Sequence, residues 1–109
     1  MQQILDAISR GATWSVTITD IEDYETGTTI AEADLEAATW KVELFNPDAM
    51  QASALTIEGT DITVLGDGMV QWTKDIPTTM EPATYFVRVR AVSGAVTTDI
   101  ATFRLPVLP

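Results

Sequence analysis

The densest run of groups able to do chemistry is Asp20-Ile21-Glu22-Asp23-Tyr24-Glu25. It places oxygen ligands close together, as a hard cation such as calcium prefers. It lacks the spacing and the central glycine of an EF-hand loop, so a solvated acidic loop is the first reading and a bound cation the second. Paired carboxylates can also hydrolyse glycosides, but these acids share one polar stretch with no mark of a pocket. The chain has no histidine and no cysteine. Ser-His-Asp and Cys-His nucleophiles are therefore excluded, as are disulfides and zinc–thiolate sites. Gly66-Asp67-Gly68 has neither the third glycine nor the lysine of a phosphate loop, and reads as a three-residue hairpin loop. The expectation is a non-enzymatic protein with no catalytic residue, no cofactor and no metal.

Charge narrows the partners. Sixteen acids stand against six bases, a net charge of −10. Such a surface repels nucleic-acid phosphates and anionic membranes. Residues 20 to 36 hold Asp20, Glu22, Asp23, Glu25, Glu32, Asp34 and Glu36 and no base. Residues 82 to 109 hold Arg88, Arg90 and Arg104 against Asp99 alone. Copies packing acidic loop against basic strand is one consequence. No apolar run nears the roughly 20 residues of a membrane span, and the N-terminus lacks the basic start and apolar middle of a signal peptide. The chain reads as a soluble, unprocessed product.

The elements that would position these groups are strands. Thr13 to Asp20, Ala38 to Asn46, Met69 to Lys74 and Ala83 to Val92 alternate apolar and polar residues, the period of a half-buried strand. Ser53 to Ile57, Ile62 to Leu65 and Ala95 to Leu105 add weaker strands, with Ser93-Gly94 turning the last hairpin. A short strand near Thr28 to Ala31 is expected, with Asp34-Leu35 anchoring the acidic connection to the core. Seven or eight short strands divided by turn residues predict an all-β, antiparallel sandwich or small barrel, of which the sandwich is the fold expected. Its core should comprise Trp14, Trp40, Trp72, Tyr85, Val42, Leu44, Val70, Val87 and Val89.

Three segments follow: an N-terminal arm over 1–12, the sandwich over 13–105, and an apolar tail over 106–109. Ile4, Leu5 and Ile8 have helical spacing, so the arm is a short helix or an extended piece. The candidate interface combines Ile4, Leu5 and Ile8 with Phe86, Arg88 and Arg90, and with Val107 and Leu108 of the tail. Arginine and aromatic residues are enriched at interfaces, and unsupported chain ends are free to dock on a neighbour. Met50 and Met80 are further apolar groups expected outside the core.

The order of features resembles a known family. Arg10-Gly11-Ala12-Thr13-Trp14 opens a strand, and Leu35-Glu36-Ala37-Ala38-Thr39-Trp40-Lys41-Val42 leads into a second. Asp67-Gly68-Met69-Val70 begins a third, and Thr78-Thr79-Met80-Glu81-Pro82-Ala83-Thr84-Tyr85-Phe86-Val87 is a corner entering a fourth. The last hairpin ends in Thr102-Phe103-Arg104-Leu105. Over roughly residues 8 to 105 this resembles the Ig-like β-sandwich domain of tailed-phage upper baseplate proteins. The resemblance implies a virion structural protein, assembled in the host cytoplasm and present as a homo-oligomer or in many copies. The chain stops where the baseplate proteins continue, which favours a capsid decoration protein, clamped by its apolar termini, over a tail, neck or baseplate component. A carbohydrate-binding module is the remaining alternative, and exposed tryptophans would mark it.

Overall fold

The computed structural model describes residues 3–23, 25–49, 52–93 and 96–109. The chain is all-β, built from two sheets. In chain order the strands are β1 (Gln3–Ile4), β2 (Ile8–Ser9), β3 (Thr13–Ile18), β4 (Thr39–Phe45), β5 (Leu55–Glu58), β6 (Ile62–Gly66), β7 (Met69–Asp75), β8 (Ala83–Ser93) and β9 (Val96–Leu108). One sheet runs β1-β9-β8-β4-β5, with β2 also on β9, and the other runs β3-β7-β6.

Alternation decides which face each strand buries. Tyr85, Val87 and Val89 on β8 point inward with Val42 and Leu44 on β4, and they meet Trp14, Val70 and Trp72 from the smaller sheet in one apolar cluster. All nine residues expected in the core are buried. Trp14 and Trp72 meet edge to face, with centroids 5.6 Å apart at 69°, a geometry their ring quadrupoles favour. Trp40, Ile21, Leu35, Ile57, Ile76, Met80, Leu105 and Val107 complete the cluster.

The N-terminal arm takes the extended form of its two readings among the described residues: β1 and β2 lie parallel to β9, pairing Ile4 with Arg104 and Ile8 with Val107. The C-terminal segment is no free tail, since β9 continues to Leu108. Val107 faces the core and is 3% exposed, and Leu5 and Ile8 pack against the same cluster. The helical spacing of Ile4, Leu5 and Ile8 arises because the break between β1 and β2 resets the strand alternation. Met80 is also buried, and its N–H closes a turn onto the Pro77 carbonyl. Met50 lies outside the described residues.

The acidic connection carries the one α-helix among the described residues, α1 (Glu32–Ala37), directly after the segment near Thr28 to Ala31 where a strand is expected. Only an isolated bridge, Glu22 with Thr29, forms there. Leu35 is buried and anchors the helix as its sequence position suggests. The Trp40 indole N–H donates to the Leu35 carbonyl at 2.8 Å and ties the helix end to β4. The hairpin between β6 and β7 is tighter than the sequence suggests. Gly66 pairs with Met69 after a register shift, leaving Asp67-Gly68 as the loop.

Tyr85, at the start of β8, spans the corner before it. Its hydroxyl donates to the Glu81 carbonyl at 2.6 Å. Burial first, and the Glu81 carboxylate second, push this hydroxyl above its ordinary pKa of 10.0.

Candidate interaction surface

The outer face of the larger sheet is ordered by strand register into ranks. One rank crosses Ile4, Arg104, Phe86 and Phe45. The next crosses Thr102, Arg88, Glu43 and Thr56, and the third Asp99, Arg90, Lys41 and Glu58. Residues opposite one another share a face, so this surface gathers Ile4, Phe86, Arg88 and Arg90 from the candidate set. It does not gather Leu5, Ile8 or Val107, which point inward. Leu108 is 46% exposed and Ile4 is 67% exposed.

The arginines are engaged within the sheet. Arg88 donates from Nη2 to the Glu43 carboxylate at 3.3 Å. Its guanidinium lies 4.9 Å from the centroid of the Phe45 ring, which is buried although it belongs to the outer face. Arg90 donates from Nε to Asp99 at 2.8 Å and approaches Glu43 at 4.0 Å. Glu43 therefore stands between two guanidinium groups and is only 15% exposed. Lys41 and Glu58 extend the network at 3.9 Å, both well exposed. A cation over an aromatic face and a carboxylate shared by two cations hold this surface in one arrangement.

Sequence reasoning placed the arginines in the candidate interface but not Glu43, Phe45 or Asp99. The signal for the first two lies in β4, where Lys41, Glu43 and Phe45 alternate with the inward Trp40, Val42 and Leu44. The register that sets Glu43 opposite Arg88 is a long-range fact that alternation alone does not fix.

The acidic run borders a cleft of about 460 Å³, lined in part by Asp20, Glu22, Asp23 and Asp99. Asp23 is committed to its own turn, where Oδ1 accepts the backbone N–H groups of Glu25 and Thr26 at 2.8 and 3.2 Å. Among the described residues, no three carboxylates gather closely enough to hold a metal ion. Tyr24 lies outside the described residues. Another cleft, of about 570 Å³, opens between α1, β4 and β6, and Glu36 is the one charged residue among those that line it.

No model of a known protein family matches the chain, and a search of curated proteins finds no match.

Proposed function

We propose that this chain is an Ig-like β-sandwich serving as a non-enzymatic structural protein of a tailed-phage particle, acting by protein–protein contact. The observation that carries the Ig-like reading is the Tyr85 hydroxyl on the Glu81 carbonyl. A tyrosine at the start of the sixth sandwich strand, bonded back to the preceding corner, is a hallmark of Ig-like domains, as is a buried tryptophan on the third strand. With β1 and β2 counted as one broken first strand and β5 left out as an added edge strand, Trp40 on β4 stands on the third strand and Tyr85 on β8 on the sixth. The strand order supports the same reading. The second, fifth and fourth principal strands, β3, β7 and β6, form one sheet, and β9, β8 and β4 form the heart of the other.

The particle setting rests on the sequence resemblance over residues 8 to 105, because an Ig-like fold hosts many functions. Burial of Trp14, Trp40 and Trp72 removes the exposed tryptophans that would favour a carbohydrate-binding module. Pairing of β1 and β2 with β9 leaves Ile4 and Leu108 as the exposed apolar residues of the two ends on which a clamp for head decoration would rest. Attachment to the head and attachment to the tail, neck or baseplate then rest on the same outer sheet face.

Immunogold labelling of purified particles of the encoding phage tests the proposal. Gold on heads assigns decoration, and gold on tails assigns the alternative. Particles free of the chain, with all of it in the soluble fraction, overturn the virion reading. A Phe86→Ser chain that melts as a folded protein but no longer joins particles would place the contact on this face.

A further inference from the structure

Strand β3 is an edge of the three-stranded sheet, paired on one side with β7 and on the other side with no strand among the described residues. Natural edges are blunted by charge, proline, a bulge or a cover. The free edge of β5 is four residues long and ends on Glu58. That of β6 carries a bulge and lies against α1. By contrast β3 reads Thr-Trp-Ser-Val-Thr-Ile and runs through six pairs with β7 without a register shift. The strands that precede it, β1 and β2, are both spent on β9. A groove of about 290 Å³ is left between residues 5–8 and the edge.

The ladder fixes which backbone groups face outward. The Ile76 N–H donates to the Ala12 carbonyl at 2.9 Å, one step before Thr13 stands opposite Asp75. Antiparallel alternation then turns the N–H and C=O of Trp14, Val16 and Ile18 towards β7, and those of Thr13, Ser15 and Thr17 outward. The side chains agree. Thr13 meets Asp75 at 2.6 Å, Ser15 meets Thr73 at 3.1 Å and Gln71 meets Thr17 at 3.3 Å, the close approach of pairs not bonded through their backbones.

Charge along this edge has a direction. Arg10 precedes β3, while Asp20, Glu22 and Asp23 follow it. The Arg10 guanidinium makes one long hydrogen bond, 3.4 Å, to the Met80 carbonyl. It has no carboxylate within ion-pair range among the described residues. Asp6 lines the groove beside the middle of β3, and the basic residue before the strand and the acidic residues after it are complementary when the strand is turned end for end.

We infer that β3 is the seam of a two-fold homodimer, pairing antiparallel with β3 of a second copy. The two-fold axis passes at Ser15. Ser15 then faces its own counterpart, and Thr13 faces Thr17 across the seam in both directions. In each of these pairs the outward N–H and C=O groups exchange both backbone hydrogen bonds. Hydroxyl side chains meet on the outer face, a favourable cross-strand pairing, and Trp14 meets Val16 on the inner face. Arg10 of each copy approaches the acidic segment that begins at Asp20 of the other. The inference rests on β3 and not on the particle reading, and the interface is isologous.

Sedimentation equilibrium of the full chain is expected to give the dimer mass, and a monomer at every concentration overturns the inference. Ser15→Lys places two ammonium groups face to face, so a folded monomer is expected. A dimer that survives Ser15→Lys overturns it. Single cysteines in this cysteine-free chain read the register. Ser15→Cys should oxidise readily to a linked dimer, since paired Cα atoms about 5.5 Å apart lie in disulfide range. Thr17→Cys should link far more slowly, and equal rates for the two overturn the register. Amide exchange on the unaltered chain needs no variant to fold. The Thr13, Ser15 and Thr17 amides should exchange faster on dilution while those of Trp14 and Val16 do not, and rates independent of concentration overturn the seam.

Discussion

Asp67 Oδ1 accepts the backbone N–H of Glu32 at 2.8 Å, across 35 positions of sequence. Helix α1 has no side-chain cap of its own, so a residue from the β6–β7 loop caps it from a distance. The next residue adds two bonds. The Gly68 N–H donates to the Ile30 carbonyl, and the Gly68 carbonyl accepts from Ile21. One hairpin thus pins the acidic connection at three points. Asp67→Ala should cost about 1 kcal/mol, the usual worth of a helix cap, read as a lower urea midpoint. Asp67→Asn should recover most of the loss.

Gly68→Ala should cost more. Gly68 has φ +66, and an added Cβ would lie 2.6 Å from Thr29 Cγ2 and 3.3 Å from the Ile21 backbone. Left-handed strain alone is worth about 1–3 kcal/mol at a non-glycine residue, and the Ile21 backbone has little room to move. Gly27 has φ +68 with nothing within 4 Å of such a Cβ. Gly27→Ala therefore isolates the strain, and the difference between the two variants in denaturant midpoint reads the contact.

The ion pairs of the outer sheet face are unequal. Glu43→Ala leaves Arg88 and Arg90 sharing a half-buried surface without their common partner, and should cost about 1.5–3 kcal/mol, the range for hydrogen bonds to charged groups. Glu58→Ala removes only the exposed contact to Lys41 and should cost less than about 0.5 kcal/mol. A double-mutant cycle between Glu43 and Arg88 in urea should show the coupling, and additive effects would contradict it.

Tyr85 sets an alkaline limit. Its folded-state pKa is raised, so the neutral hydroxyl is the form that folding favours. The stability this contributes is fully present below the unfolded value near 10 and is lost as pH rises through the folded value. Tyr85→Phe should cost about 1 kcal/mol at neutral pH through the lost hydrogen bond to Glu81. Above pH 10 the gap between the two chains should shrink, as measured by guanidinium midpoints across the alkaline range.

Local alternation made much of this fold readable. Tyr85, Val87 and Val89 declare an inner face, and the tryptophans follow the same rule on three other strands. What escaped was long-range or interrupted. Val107 sits after a proline, which argues against a ladder, yet Pro106 is opposite Thr84 and β9 carries on. Helix α1 is six residues long, too short for a periodic pattern, and it depends on Asp67 from a distant hairpin. Arg88 and Arg90 were visible as outward groups, but their carboxylate partners come from β4 and from across the last hairpin. Alternation says which face a residue takes and not which neighbour it meets there.

The pairing of both chain ends with one strand has a mechanical consequence. Strands β1 and β2 run parallel to β9, so tension applied through Gln3 and Leu108 pulls the partners in opposite directions along their length. The bonds between them are then loaded in shear, all at once, instead of being unzipped one after another. A chain held by its two ends between larger bodies would carry force without first surrendering its sheet.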